Sequence, residues 1–141
     1  ARETIVRLEN EPMHVPGSLI NLVDVFVIMR RYNIDNHIVR VVGEVVETAG
    51  MERNMVLLSS LWNYDLVNKE FHENSASSVY RDRLALVSGR SPKEILDELK
   101  LRSKLMHALV NKDIRENKAV ADICRRYSSN PSAVLHELGI H

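Results

Sequence analysis

At 141 residues, 45% hydrophobic and 27% charged, the chain suits one globular domain whose core needs neither disulfides nor a metal. Nineteen basic residues balance nineteen acidic ones, so no global charge marks a binder of nucleic acid or anionic membrane. The single Cys124 excludes an internal disulfide and fits a reducing compartment, and the longest apolar run, around Val23 to Met29, is far too short to cross a bilayer.

The first residue is not an initiator methionine, and the opening residues do not read as a signal peptide. The chain opens inside what reads as a helix, which points to a piece of something longer. Ala1 to Asn10 places Ile5 and Leu8 on one stripe of that amphipathic helix. Pro12 and Pro16 bar both helix and interior strand, so Glu11 to Gly17 is expected to be an extended connector. Ser18 is placed to cap a short turn through Leu19-Ile20-Asn21.

Two β-branched runs, Leu22 to Arg31 and His37 to Glu47, flank Tyr32 to Asn36 and predict a β-hairpin. In the second arm Val39, Val41, Gly43, Val45 and Glu47 share one face. Ile38, Arg40, Val42, Glu44 and Val46 share the other, and its charges make the first the expected core face. Thr48 to Asn54 reads as a second turn, Met55 to Trp62 as a third strand, Asn63 to Asp65 as a turn and Leu66 to His72 as a short fourth strand. Such close reversals predict an antiparallel meander, because parallel pairing needs long crossovers.

Beyond the polar break Glu73 to Ser78, a helix is expected over Val79 to Val87 with Val79, Leu84 and Val87 inward. Ser91-Pro92-Lys93-Glu94 is a capping box, opening a helix to about Val110 that buries Ile95, Leu96, Leu99, Leu101, Leu105, Met106 and Leu109. Asn117 is expected to cap Lys118 to Arg126, with Val120, Ala121 and Cys124 inward. Asn130-Pro131 starts a last helix, Ser132 to Leu138, stopped by Gly139. The fold class is therefore α+β: an antiparallel β-meander over residues 1–75, followed by a helical bundle over 76–141.

A phosphate-binding loop needs glycine amides beside a Lys-Ser or Lys-Thr pair, and none of the five glycines precedes one. No strand ends in the acidic pair that would hold magnesium, so the chain alone should not hydrolyse ATP. The six histidines and Cys124 show no metal-ligand spacing, and no nucleophile elbow or acid–base couple is legible. Ala119 to Leu138 has the cadence of a helix-turn-helix, with Arg125 and Arg126 available to phosphates. Against that, Asp122 and Glu137 offset the charge, and the second helix offers Ser and Ala rather than base-reading Arg, Asn or Gln. A DNA-binding regulator with a β-rich dimerisation half is the alternative reading, and an interaction module that adds a partner strand at an exposed β edge is a third.

The order Arg7-Leu8, then Pro12-Met13-His14-Val15-Pro16, then an apolar strand ending in Arg30-Arg31, then HIVRVVGEVVE resembles one region of the archaeal secretion-type ATPases. These comprise the archaeal flagellar (archaellum) motor ATPases and their relatives in type II and type IV secretion. The resemblance is closest over residues 1 to 65. It implies that the meander completes a RecA-like P-loop ATPase domain whose P-loop, Walker B acid and histidine box lie upstream. It further implies a hexameric ring at the cytoplasmic face of the membrane, seated on a membrane platform protein, with ATP and Mg held by the intact parent and none by this piece. Arg7 corresponds to the arginine after the family's histidine box, and Arg30, Arg31 and Arg40 to basic positions on its hairpin; the resemblance places all four at nucleotide or intersubunit contacts. Two departures stand out: the Tyr32 to Asn36 loop lacks the hairpin glycine, and Val39 replaces the first of an arginine pair, leaving Arg40 alone. Read without the family, the same arginines are edge charges that block sheet-to-sheet association.

Overall fold

The computed structural model describes residues 1–34 and 36–140, which form two compact units, Ala1–Ser88 and Gly89–His141. The first contains helices α1 (Arg2–Glu9) and α2 (Gly17–Ile20), strands β1 (Val25–Ile34), β2 (His37–Glu52), β3 (Met55–Asp65) and β4 (Glu70–Glu73), and helix α3 (Val79–Ser88). The second contains α4 (Pro92–Asn111), α5 (Asn117–Ser129) and α6 (Pro131–Leu138). The α+β class is as expected: one four-stranded antiparallel sheet in the order β1-β2-β3-β4, then helices.

The strands run further and turn more tightly than the composition suggests. The first reversal is two residues long, because Ile34 pairs with His37 across Asp35-Asn36. Asn36 adopts φ 62°, a conformation Asn tolerates, and Asp35, part of the expected loop, lies outside the described residues. The second reversal is Arg53-Asn54 alone, at φ 44° and 71°, the left-handed pair whose twist matches the flanking strands. Thr48 to Glu52, expected as a turn, is therefore strand, and Gly50 sits at a register shift within it. Strand β3 likewise continues through Asn63 to Asp65. There the Asp65 carboxylate accepts from the backbone N–H groups of Val67 (2.7 Å) and Asn68 (3.2 Å) and sets the turn into β4. The Glu11 to Gly17 connector is not extended: Met13 and His14 both donate to the Asn10 carbonyl and turn the chain back, so that Val15 N–H reaches Leu8. Helix α2 begins at Gly17 with no side-chain cap from Ser18.

Which face points inward is decided by Gly43. Between Ile28–Glu44 and Met29–Val42 the β1–β2 register shifts, leaving Gly43 as an extra residue on β2. Val39 and Val41 face inward as expected, but past the bulge the alternation reverses. Val46, not Val45, becomes the buried valine, paired with Phe26. On this face Ile5 of α1, Ile20 of α2 and Val56 of β3 form the core, with Leu8, Val15, Phe26 and Leu58 around it. Glu47 ends on the opposite face and is nonetheless fully buried, because α3 covers it. Its carboxylate accepts from the N–H groups of Val79 (2.8 Å) and Tyr80 (3.1 Å) and from the Ser78 hydroxyl (2.7 Å), satisfying the open amides at the start of α3. Helix α3 thus belongs with the sheet, and the unit boundary lies at Ser88 rather than at residue 75. It buries Ala85, while Val79, Leu84 and Val87 stay exposed, contrary to the amphipathic pattern.

In the helical unit the core is Leu105 and Leu109 of α4, Ile123 and Tyr127 of α5, and Val134 and Leu138 of α6. The capping box opens α4 as read: the Ser91 hydroxyl accepts from Glu94 N–H (3.2 Å) and the Glu94 carboxylate accepts from Ser91 N–H (2.7 Å). Leu96, Leu99 and Met106, expected inside, are exposed. Helix α5 begins at Asn117 itself, without a side-chain cap, and extends to Ser129. The longer helix turns Ile123 and Tyr127 inward rather than Ala121, which is exposed. Asn130 alone joins α5 to α6, and its side-chain oxygen accepts from Ala133 N–H (3.2 Å). Gly139 at φ 73° closes α6, with Gly139 N–H bonded to the His136 carbonyl and Ile140 N–H to that of Leu135.

Candidate functional site

Two of the four arginines singled out from sequence meet; the other two do not join them. Arg7 lies in the last turn of α1 and Arg30 on the inward face of β1. With Ala1, Glu3, Thr4 and Ile28 they line a cleft of about 240 Å³ in the first unit. Gly43 makes this possible. A Cβ there would fall 2.2 Å from Cγ of Arg30, so only glycine lets the Arg30 stem lie down across β2. The guanidinium then sits 3.8 Å from the Glu44 carboxylate. A bond from the Arg2 guanidinium to the Val56 carbonyl (3.0 Å) holds α1 against β3. The cleft is therefore lined by two guanidiniums and the Glu3 carboxylate, with Glu44 paired to Arg30 beside it, so its charge is mixed rather than strongly cationic.

Arg31 and Arg40 face the other way. They are directly opposed across β1 and β2, both exposed, and neither makes an ion pair among the described residues. Like charges so placed repel. On the same side Val27, Met29 and Ile38 are exposed. Sequence reasoning grouped the four arginines by their place in a motif, and the alternation of β1 separates Arg30 from Arg31. It also missed Gly43 and Glu44, although an isolated glycine inside a strand is the signal of a bulge or a close approach.

The basic residues near the chain's end are committed elsewhere. Asp122 receives Arg125 at 2.5 Å and Arg126 at 3.1 Å, and the second Arg126 edge reaches Glu137 at 2.6 Å. These bonds hold the Asp122 and Glu137 carboxyls below the usual carboxylate range and raise Arg126 above its ordinary value. Tyr127 moves upward because it is buried, with the Glu98 carboxylate 3.4 Å from its hydroxyl. Asn130 alone joins the two helices, and Arg125 and Arg126 are paired inside the unit.

Among the described residues no three His, Cys, Asp or Glu side chains are placed to share a metal ion, and no helix is long and apolar enough to cross a membrane. Across 140 residues the chain is 24% identical to "Uncharacterized protein MJ0781" of Methanocaldococcus jannaschii, a match covering 98% of this chain and 19% of that protein. The chain thus spans about a fifth of the length of this curated relative. No family model matches the sequence.

Proposed function

We propose that this chain is the C-terminal part of a secretion-, pilus- or archaellum-type ATPase, whose hexameric ring couples ATP hydrolysis to filament assembly or protein export. The meander and α1 would complete the parent's RecA-like domain. The ring would sit at the inner face of the cell membrane against a membrane platform protein. The observation that carries this reading is the meeting of Arg7 and Arg30 in one cleft, since they come from the two motifs whose order gave the resemblance. A partial match to a much longer archaeal protein agrees with a piece of a larger polypeptide.

The residues present do not fit a resident nucleotide. The cleft is small, Arg30 faces the Glu44 carboxylate, and no glycine precedes a Lys-Ser or Lys-Thr pair. ATP and Mg would be held by the rest of the parent, and no step of hydrolysis is assigned to this chain. Its contribution is packing and intersubunit contact, with Arg7 and Arg30 at the flank of a nucleotide or neighbouring subunit.

The coding sequence ahead of Ala1 is the first test: a histidine box and a Gly-Lys-Thr/Ser loop are expected, and their absence removes the ATPase reading. In the parent, Arg7→Ala and Arg30→Ala, by loosening intersubunit contact, should each lower the steady-state ATPase rate about tenfold, well short of the roughly 10³–10⁵ that an arginine acting directly on the developing phosphoryl charge supplies. Unchanged rates in both would leave the cleft a packing feature. Anisotropy titration with duplex DNA at two salt concentrations addresses the regulator reading, which requires tight, steeply salt-dependent binding.

A further inference from the structure

Helix α4 carries two apolar stripes. Ile95, Leu105 and Leu109 are buried in the helical unit. A second stripe, Leu96, Leu99, Met106 and Val110, is 36%, 50%, 42% and 64% exposed. With the exposed Ser103 these positions are spaced three, four, three and four residues apart. That is the a/d spacing of a coiled-coil seam, narrower than the face with which a helix lies on a core or in a lipid interface. Lys93, Lys100 and His107 recur seven residues apart along one edge of this seam, at e positions, and all are exposed. The other edge, Ile95, Arg102 and Leu109, turns toward the unit's own core, where Arg102 pairs with Glu98 and lies over the Tyr127 ring.

We propose that the outer face of α4 docks an amphipathic helix of another protein, one bearing apolar residues at the same spacing and Glu or Asp along the edge that meets Lys93, Lys100 and His107. Charge selects this occupant over a second copy. An antiparallel self-pair sets e against e and so lysine against lysine; a parallel one sets those lysines against Ile95, Arg102 and Leu109. Only an acidic partner both covers the apolar seam and neutralises its edge. The proposal is independent of the ATPase reading, because it uses α4 alone.

The test is fluorescence anisotropy with a labelled peptide of roughly three heptads, matching the length of α4, with Leu at a and d and Glu at e and g. A control peptide carries Lys in place of Glu. The whole chain should bind the Glu peptide at least about tenfold more tightly than the Lys peptide, with the difference shrinking in about 1 M salt. The variant L99E/M106E should lose binding. K100E, at an exposed position that leaves the fold intact, should weaken the Glu peptide and strengthen the Lys peptide. Equal binding of the two peptides, or undiminished binding by L99E/M106E, overturns the proposal. Two further outcomes overturn it by naming another occupant. One is a wild-type dimer in sedimentation equilibrium that L99E/M106E dissociates. The other is binding to phosphatidylglycerol vesicles with neither peptide bound.

Discussion

Gly43 and Arg30 form a size-exclusion pair: the arginine stem occupies the space that any other residue at 43 would need. Gly43→Ala forces the guanidinium away from Glu44 or bends β2, and should destabilise the first unit by about 1–3 kcal/mol, the usual cost of overpacking. In an Arg30→Ala background the 2.2 Å clash with Cγ is gone and only a 3.2 Å approach to Cβ remains, so most of the penalty should vanish. Urea unfolding of the two single variants and the double variant measures this coupling, and additive penalties would show that the pair is not in contact. Glu47 is the other decisive residue. It is buried in a sheet yet fully used, because α3 begins with amides that have no helical partner. Glu47→Ala leaves those part-buried donors without an acceptor and should cost about 1–3 kcal/mol. Faster hydrogen exchange at Val79 and Tyr80 than in the rest of the first unit should accompany the loss. Unchanged protection there would mean that α3 is held by something else.

Among the elements, those stopped by local chemistry were legible and those shaped by packing were not. The capping box at Ser91 is closed within four residues and the Gly139 stop within six, so their sequences contain every group involved. The meander was legible for a similar reason, since antiparallel neighbours need only short reversals. The inward face of β2 was not, because one extra residue at Gly43 reverses the alternation and period two cannot reveal a bulge. Nor was the division of α4, where two apolar stripes look alike until α5 and α6 choose one of them. The candidate cleft was half legible. Arg7 and Arg30 were named through a family resemblance, whereas their meeting, and the separation of Arg31 and Arg40 from them, depends on strand register. The local signals support direct predictions. Ser91→Ala should cost about 1 kcal/mol. Gly139→Ala should cost about 1–2 kcal/mol although space for the methyl is open, because the left-handed backbone alone penalises a Cβ. Thermal melts of the helical unit followed by circular dichroism test both, and a neutral Gly139→Ala would mean that the last turn frays in solution.

At the scale of the molecule the two units should answer differently to acid. In the helical unit Glu94 is held below the ordinary carboxylate range chiefly by Ser91 N–H, Asp122 chiefly by Arg125 and Glu137 chiefly by Arg126. Among the described residues of the first unit Asp65 is so lowered, chiefly by the Asn68 side chain. A carboxyl whose folded value lies below its unfolded value contributes stability that is present above the unfolded value, about 4 for Asp and Glu, and is lost as pH falls through the folded one. Tyr127 has the opposite sign: its raised value contributes stability that is fully present below about 10 and declines only at higher pH. As pH falls below about 4 the helical unit therefore progressively loses the stabilisation of these three carboxylates, and the first unit that of Asp65. Trp62, the single tryptophan, lies on β3 and reports on the sheet, whereas most helical residues belong to α4, α5 and α6. In urea titrations the midpoint of ellipticity at 222 nm should fall further on acidification than the midpoint of Trp62 fluorescence. Midpoints that move together at every pH would mean that the Arg126 network and the Ser91 cap add no stability of their own, leaving the six buried side chains shared by α4, α5 and α6 to hold that unit together.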